Sequence, residues 1–163
     1  MTWKHQIKCC TGLRKITCKL EVCLRQTGPS SRFISISGHT LLWAKTKNNP
    51  SWTHTLFGEA FTSALYRHLD QTLQHFDGFG VNKWDVINEM VDQGLDNHTF
   101  YIDHSGDPGI RAEIYKYVRA TFPGTTLFVS DYGIVADKYD RFGRIQIYIS
   151  IIRFTHLILQ IRK

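Results

Sequence analysis

Three short apolar segments alternate with longer polar and amphipathic segments between residues 33 and 142, and this alternation limits the possible folds. The apolar segments are rich in β-branched and aromatic residues, which is typical of buried strands; they cover residues 33–43, 84–88 and 126–130. Strands that alternate with helices are joined by crossover connections and lie parallel in one sheet. The sequence therefore predicts an α/β fold with three successive βα units.

The segments between the strands carry helix signals. Apolar residues at spacings of three and four, which predict one buried helix face, are Phe57, Phe61, Ala64, Leu65, Leu69, Thr72, Leu73 and Phe76. A polar loop is predicted over residues 89–106, followed by a helix with Asp107 as its N-cap and Pro108 as its first residue. The residues predicted to share a face of that helix are Ile110, Ile114, Tyr117, Val118 and Thr121. A further helical start is expected over residues 136–142.

The net charge of +6 comes from the two ends of the chain. Residues 1–32 contain seven basic residues and one acidic residue, and residues 143–163 contain four basic and no acidic residues, whereas residues 33–142 contain nine basic and thirteen acidic residues. Basic ends around a mildly acidic middle indicate segments of separate character. We therefore predict a domain at residues 33–142. A basic cysteine-containing flank at residues 1–32 and an isoleucine-rich basic flank at residues 143–163 are predicted to lie outside it.

Several classes of function are disfavoured by the sequence. The spacing of the four cysteines, Cys9, Cys10, Cys18 and Cys23, does not match a zinc site. The N-terminus lacks the apolar stretch of a secretory signal peptide, and polar residues interrupt the isoleucine-rich flank, so we expect no membrane helix. Because the basic flanks contain no recognisable DNA- or RNA-binding motif, we expect no nucleic-acid partner.

Polar and aromatic residues cluster where the predicted strands end. In parallel α/β folds functional residues lie at the carboxyl edge of the sheet, and the residues predicted at this edge are His39, Trp43, Asn88, Glu89, Asp131 and Tyr132. Glu89 is either a catalytic proton donor or a solvated loop acid. His39 and Trp43 are either core residues or part of a sugar site, since an aromatic face and hydrogen-bonding groups suit a pyranose ring. The residues alone leave both alternatives open.

Four motifs occur in order along the predicted strands. They are G-H-T-L-L-W at residues 38–43, P-S-W at 50–52, W-D-V-I-N-E at 84–89 and L-F-V-S-D-Y at 127–132. Together they resemble the family 10 glycoside hydrolases, the endo-1,4-β-xylanases, over residues 33–142. The resemblance implies a (β/α)8 TIM barrel. This chain would hold roughly strands 3 to 5 with their helices, because a complete barrel needs about 250 residues.

The resemblance also implies roles for individual residues. Glu89 matches the general acid/base, which protonates the leaving glycosidic oxygen and later activates water. The matched substrate-binding positions are His39, Trp43, Asn88 and Tyr132, and the supporting positions are Trp84 and Asp131. Trp84 would pack behind the acid. The implied partner is xylan or a related β-1,4-linked polysaccharide, with no cofactor and no metal, and the family is expected to be monomeric and extracellular.

The sequence departs from the family pattern at several positions. Ala44 stands where a histidine often follows the G-H-T-L-x-W motif, and Ser130 stands where an asparagine is frequent. A retaining glycosidase needs two carboxyl groups about 5–5.5 Å apart, but no strand with the family's T-E-x-D nucleophile motif follows Phe142. Asp131 is a poor substitute, because the family does not use that position as nucleophile. We therefore expect this chain alone to be catalytically inactive, and its open sheet edges to make it poorly stable.

A non-catalytic carbohydrate-binding remnant of the same fold is the alternative interpretation. In that case His39, Trp43, Asn88 and Tyr132 still hold xylose rings. The long loop after Glu89 also contains an N-x-T sequon, which makes Asn97 a candidate glycosylation site if the chain is secreted.

Overall fold

In the described part of the chain, six strands form one sheet in the order of the sequence, β1 to β6. The computed structural model describes the backbone of residues 2–5, 19–26, 32–91, 98–132 and 157–162, and the side chains of residues 36–91 and 98–131. The strands are β1 (Thr2–His5), β2 (Lys19–Gln26), β3 (Arg32–Trp43), β4 (Lys83–Asn88), β5 (Thr126–Tyr132) and β6 (Leu157–Arg162). The helices are α1 (Gly58–Asp77), α2 (Phe100–Ser105) and α3 (Ile110–Thr121), with 3₁₀ turns at Thr46–Asn48 and Ser51–Thr55.

The three predicted strands, β3, β4 and β5, lie side by side and parallel. Trp43 of β3 pairs with Asn88 of β4, and Asn88 in turn pairs with Ser130 of β5. Helix α1 connects β3 to β4, and α2 and α3 connect β4 to β5. These crossover connections confirm the predicted α/β fold with successive βα units.

Strands from both flanks extend this central sheet. β1 and β2 pair antiparallel with each other, and β2 pairs antiparallel with β3, while β6 pairs parallel with β5. The edges that we expect to be open at β3 and β5 are therefore paired with flanking strands, which was not predicted. The limits of the domain at residues 33 and 142 stay a prediction.

One hydrophobic core joins the central strands to the three helices. The predicted buried face of α1 is largely confirmed, and its buried residues are Phe61, Leu65, Leu69, Thr72, Leu73 and Phe76. Ala64 is half-buried, whereas Phe57 is 61% exposed and lies at the N-cap, outside the helix. The helix ends at Asp77, directly before Gly78.

Helix α2 lies inside the predicted polar loop, so the loop prediction is wrong for residues 100–105. Six residues give too little periodicity to be recognised in the sequence. The helix is held by burial of Phe100 and Tyr101, and it ends at Gly106, whose φ of 73° lies in the left-handed region that favours glycine.

Helix α3 begins at Ile110 and not at Pro108. The Asp107 carboxylate accepts the Gly109 N–H at 2.7 Å and closes a turn that precedes the helix. Ile110, Ile114 and Val118 are buried as predicted. Thr121 is exposed and Tyr117 is only half-buried, whereas Tyr115 is fully buried and was not predicted.

Gly38 and Trp84 face each other across β3 and β4, and Trp84 is fully buried. The Trp84 indole N–H donates to the Val81 carbonyl at 3.3 Å, and its ring centre lies 5.5 Å from that of Phe76. A Cβ atom added to Gly38 would overlap the Trp84 ring, so close packing requires the glycine. Trp84 lies near the start of β4, whereas Glu89 follows its end, so the packing of Trp84 supports the strand that carries Glu89.

We expect Gly38→Ala to lower the free energy of unfolding by about 2 kcal/mol, because overpacking a dense interior costs about 1–3 kcal/mol. Gly124→Ala is the matched control, since a Cβ added there meets no atom within 4 Å. Urea denaturation of both variants and of the unchanged chain measures the difference. Equal stabilities of the two variants would contradict the packing assigned to Trp84.

His68 ties α1 to β3. Its Nε2–H donates to the Leu41 carbonyl at 2.9 Å, and its Nδ1 accepts the Thr72 hydroxyl at 3.2 Å. Burial lowers the pKa of His68, and the hydrogen bond to Leu41 opposes this effect. The folded chain therefore favours the neutral imidazole, whereas the unfolded chain takes up a proton at about pH 6.5.

The folded chain should lose stability as the pH falls from about 7.5 to about 5.5, because a histidine with a lowered pKa contributes its full stability above its unfolded pKa and loses it as the pH falls towards the folded pKa. His68→Gln should remove this component of the pH dependence. His75→Gln, a substitution at an exposed position of the same helix, should retain it. Urea midpoints measured across this range would show the same pH dependence in both variants if His68 has no such role.

Candidate functional site

The carboxyl ends of the three central strands lie next to one another. Trp43 pairs with Asn88, and the Ala44 N–H donates to the Asn88 carbonyl at 3.1 Å. The Glu89 N–H donates to the Ser130 carbonyl at 2.8 Å. These bonds continue the parallel pairing beyond the ends of β3 and β4, and they bring residues 43, 44, 88, 89 and 130 to one edge of the sheet.

Glu89 begins a turn that β5 holds in place. Its φ of 55° lies in the left-handed region, which is unfavourable for a residue with a side chain and costs about 1–2 kcal/mol. The Val91 N–H donates to Asp131 Oδ2 at 3.0 Å, and Asp131 is only 1% exposed. Asp131 therefore anchors the turn that presents Glu89, which suits a supporting position more than a nucleophile.

Two donors converge on one oxygen of the Glu89 carboxylate. The Trp43 indole N–H and the Lys45 ammonium group each lie 3.0 Å from Glu89 Oε2. The side chains of Lys45 and Glu89 are 14% and 18% exposed, so the ion pair is largely shielded from water. Lys45 was not predicted as a site residue, because the sequence does not show which side chain a lysine after a strand end will contact.

His39 and Asp85 form a buried hydrogen-bonded pair across β3 and β4. The His39 Nδ1–H donates to Asp85 Oδ2 at 2.6 Å, and both side chains are less than 10% exposed. The carboxylate orients the imidazole, whose ring centre lies 5.9 Å from that of Trp43 in an edge-on arrangement. Asp85 was not predicted to belong to the site, because the W-D-V-I-N-E motif does not reveal its partner on β3.

The other predicted site residues are described to different extents. Asn88 is buried at the end of β4, next to Glu89. Tyr132 ends β5 at the same edge of the sheet, but its side chain lies outside the described residues. Asn97, the candidate glycosylation site, also lies outside them, and so does the helical start expected over residues 136–142.

A hydrogen-bond clamp fixes the chain after β3. The Trp43 backbone N–H donates to the Tyr101 hydroxyl at 3.2 Å, and this hydroxyl donates to Asn49 Oδ1 at 2.9 Å. The Asn49 amide donates to the carbonyls of Trp43 and Lys45, both at 2.9 Å. Burial raises the pKa of Tyr101 far above its ordinary value, so its hydroxyl stays protonated and available as a donor.

A cavity of about 410 Å³ adjoins this clamp. It lies between β3, the two 3₁₀ turns, α1 and α2, and Trp43, Trp52, Phe61 and Tyr101 are among its lining residues. The volume and the mixed aromatic and polar lining are within the range of small-molecule sites. His39 and Trp43 line one wall, so the cavity is continuous with the residues at the strand ends.

Two features are absent from the described part of the chain. It contains no group of three or more His, Cys, Asp or Glu side chains placed to hold a metal ion. It also contains no helix with the length and apolar character needed to cross a membrane.

Tyr101→Phe should lower the free energy of unfolding by about 1–2 kcal/mol, because it leaves the Trp43 N–H and the Asn49 amide oxygen without their shared partner. Tyr66→Phe is the matched control: it removes a hydroxyl from a half-buried tyrosine of α1 that is not part of the clamp. Urea denaturation compares the two variants. An equal loss of stability in both would contradict the role assigned to the clamp.

A family model covers most of the chain. The model described as glycosyl hydrolase family 10 matches residues 29–154, a range that contains α1, α2, α3 and all of the three central strands. The match starts a few residues before the predicted domain and continues past its predicted end.

Curated relatives are similar to this chain over about three fifths of its length. Endo-1,4-beta-xylanase B of Neocallimastix patriciarum is 29% identical over 99 residues, which are 58% of this chain and 11% of that protein. Endo-1,4-beta-xylanase 4 of Arabidopsis thaliana is 25% identical over 109 residues, which are 66% of this chain and 18% of that protein. The chain therefore spans less than a fifth of the length of either relative.

Solved structures are similar over most of the described chain. Native xylanase10C from Cellvibrio japonicus matches with a TM-score of 0.63 at 22% identity, covering 77% of this chain and 28% of that chain. A glycosylated endo-beta-1,4-xylanase from Gloeophyllum trabeum matches with a TM-score of 0.63 at 21% identity, covering 77% and 40%. This shared fold confirms the predicted partial (β/α)8 barrel. Because its family model matches more than half of the sequence, the chain belongs to glycosyl hydrolase family 10.

Proposed function

We propose that this chain supplies the acid/base part of an endo-1,4-β-xylanase, a retaining glycoside hydrolase that cleaves internal β-1,4 bonds of xylan. The observation that carries this proposal is the Glu89 carboxylate, which the Trp43 indole and the Lys45 ammonium group hold at the carboxyl edge of the sheet. The family membership and the names of the curated relatives support the reaction class and the substrate.

Glu89 meets the geometric needs of a proton donor. A glycosidase must deliver a proton to the oxygen that leaves the anomeric carbon, and the donor must be held in place while the bond breaks. The turn at Glu89 is fixed by the Ser130 carbonyl and by the Asp131 carboxylate, and its side chain is partly shielded from water. The carboxyl group is therefore preorganised where a sugar chain would cross the strand ends.

The neighbouring residues suit a sugar ring. Trp43 offers an aromatic face, and polar groups lie close to it on His39 of the same strand and on Asn88 at the end of β4. We assign these three residues, with Tyr132, to substrate binding. Support comes from a similar structure, a mutant of xylanase10C from Cellvibrio japonicus that is in complex with xylopentaose, at 21% identity.

A retaining mechanism requires a second carboxylate about 5–5.5 Å from the first. In the described part of the chain, the acidic residue on the neighbouring strand at this edge is Asp131, which anchors the turn through the Val91 N–H. We therefore assign no nucleophile to this chain, and we propose that the chain alone does not hydrolyse xylan.

A carbohydrate-binding remnant is the second candidate function. The buried His39–Asp85 pair and the Tyr101–Asn49 clamp favour it, because both are complete without a second carboxylate. A remnant would bind xylo-oligosaccharides without hydrolysing them, whereas a fragment that depends on further barrel strands would do neither.

We expect xylotetraose to bind the purified chain with a dissociation constant of about 0.1–1 mM, which corresponds to about 4–5.5 kcal/mol, and to remain uncleaved. Trp43→Ala should weaken binding at least about tenfold, because a stacking aromatic carries a large share of such an interface. Calorimetric titration measures binding, and chromatography of the sugar after prolonged incubation measures cleavage.

Phe79→Ala is the control for removal of an aromatic side chain. Phe79 is 68% exposed and lies in the turn before β4, at the opposite edge of the sheet from Glu89. Its removal should leave the affinity unchanged. If xylotetraose does not bind, the proposed sugar site in this chain is wrong. If the chain cleaves xylotetraose and Glu89→Gln abolishes the cleavage, the proposal that the chain alone is inactive is wrong.

A further inference from the structure

The two oxygens of the Glu89 carboxylate have unequal surroundings. Both the Trp43 indole N–H and the Lys45 ammonium group reach Oε2. We infer that Lys45 is a positioning residue that, together with Trp43, reserves Oε2 for anchoring and leaves Oε1 as the oxygen that exchanges a proton with the sugar. This inference rests on the proposed role of Glu89 as acid/base and adds to it a residue and an atom.

The backbone of Lys45 is fixed before its side chain reaches Glu89. The preceding residue, Ala44, is fully buried, and its N–H donates to the Asn88 carbonyl at 3.1 Å. The Lys45 carbonyl accepts the Asn49 amide at 2.9 Å. With both ends of the residue held, the ammonium group reaches the carboxylate from a defined position, one residue after the point where the sequence departs from the G-H-T-L-x-W-H pattern.

The burial of Lys45 points to a specific contact. Its side chain is 14% exposed, and lysine is rarely buried to this extent unless it is paired. The Lys116–Glu113 pair on α3 provides a comparison, because its two side chains are 49% and 50% exposed at a distance of 2.8 Å. A solvated pair of that kind contributes little, whereas the shielded pair at Glu89 is screened much less by water and salt.

The arrangement keeps Oε2 occupied in both protonation states of Glu89. When Oε1 carries the proton, Oε2 is the carbonyl oxygen of the acid and still accepts hydrogen bonds. After the proton has passed to the glycosidic oxygen, Oε2 carries part of the negative charge, so both hydrogen bonds have a charged acceptor and become stronger. Trp43 and Lys45 therefore hold Oε2 in the same place before and after the proton transfer.

The Trp43 indole N–H provides a spectroscopic reading of this anchor. The chain contains four tryptophans, so its indole N–H region holds four signals, and Trp43→Phe identifies the one from Trp43. Lys45→Met should shift this signal and increase its hydrogen-exchange rate at least about fivefold, because the carboxylate that accepts the indole N–H is no longer held. Lys45→Arg should restore the exchange rate, since arginine can also pair with a carboxylate.

Two further variants separate positioning from general destabilisation. Lys116→Met removes the lysine of the exposed pair on α3 and should leave the Trp43 signal unchanged. In a Glu89→Ala background, Lys45→Met should have no additional effect on that signal, because the anchored group is already absent. The signals of the other three tryptophans should stay in place in every variant, which shows that the fold is intact.

A Trp43 signal that is the same in Lys45→Met and in the unchanged chain would overturn the inference. The inference would also be overturned if Lys45→Met shifted the Trp43 signal as much in the Glu89→Ala background as it does in the unchanged chain. The sugar titration gives a second reading: Lys45→Met should raise the dissociation constant for xylotetraose about fivefold, and Lys45→Arg should raise it less. If no variant binds the sugar, the proposed function fails, but the indole measurements still decide whether Lys45 holds Glu89.

Discussion

The parallel pairing of β3, β4 and β5 is the constraint on which the site depends. Trp43 pairs with Asn88, and Asn88 pairs with Ser130, so β3 and β4 end side by side, next to Ser130 of β5. A shift of one residue would turn the side chains of a strand to the opposite face and would separate Trp43 from Glu89. Gly38 helps to fix this register, because only a residue without a side chain fits against the buried ring of Trp84 at that pairing position.

The turn at Glu89 depends on this strand register, because residues of β5 hold it in place. A left-handed φ at a glutamate is unfavourable, and such strain persists only where the surroundings determine the backbone. Here Ser130 and Asp131 of β5 bind the turn on both sides of Glu89, through the Glu89 N–H and the Val91 N–H. The neighbouring strand therefore sets the position of Glu89, and the Asp131 carboxylate is engaged in holding the turn.

The sequence predicts the strands, α1 and the residues at the strand ends because these features repeat at short spacing or follow from parallel topology. It does not predict the partners of those residues. His39 meets Asp85, Trp43 meets Glu89, and the Trp43 N–H meets Tyr101, at sequence separations of 46, 46 and 58 residues. Such contacts depend on side-chain directions in the folded chain, which periodicity does not contain. Helix α2 was missed for a related reason, since its six residues are stabilised by burial against the core and not by a helical pattern.

The contacts around Glu89 are made by residues of β3, β5 and α2 and by the segments that follow β3 and β4. The carboxylate of Glu89, its two donors, the turn that presents it and the clamp behind Trp43 all involve residues between 43 and 131. A retaining glycosidase divides its chemistry between two carboxylates that need only be placed about 5–5.5 Å apart. In the proposed reaction, the position of the Glu89 carboxylate would therefore be set by residues 43–131, and the second carboxylate would have to be placed relative to it.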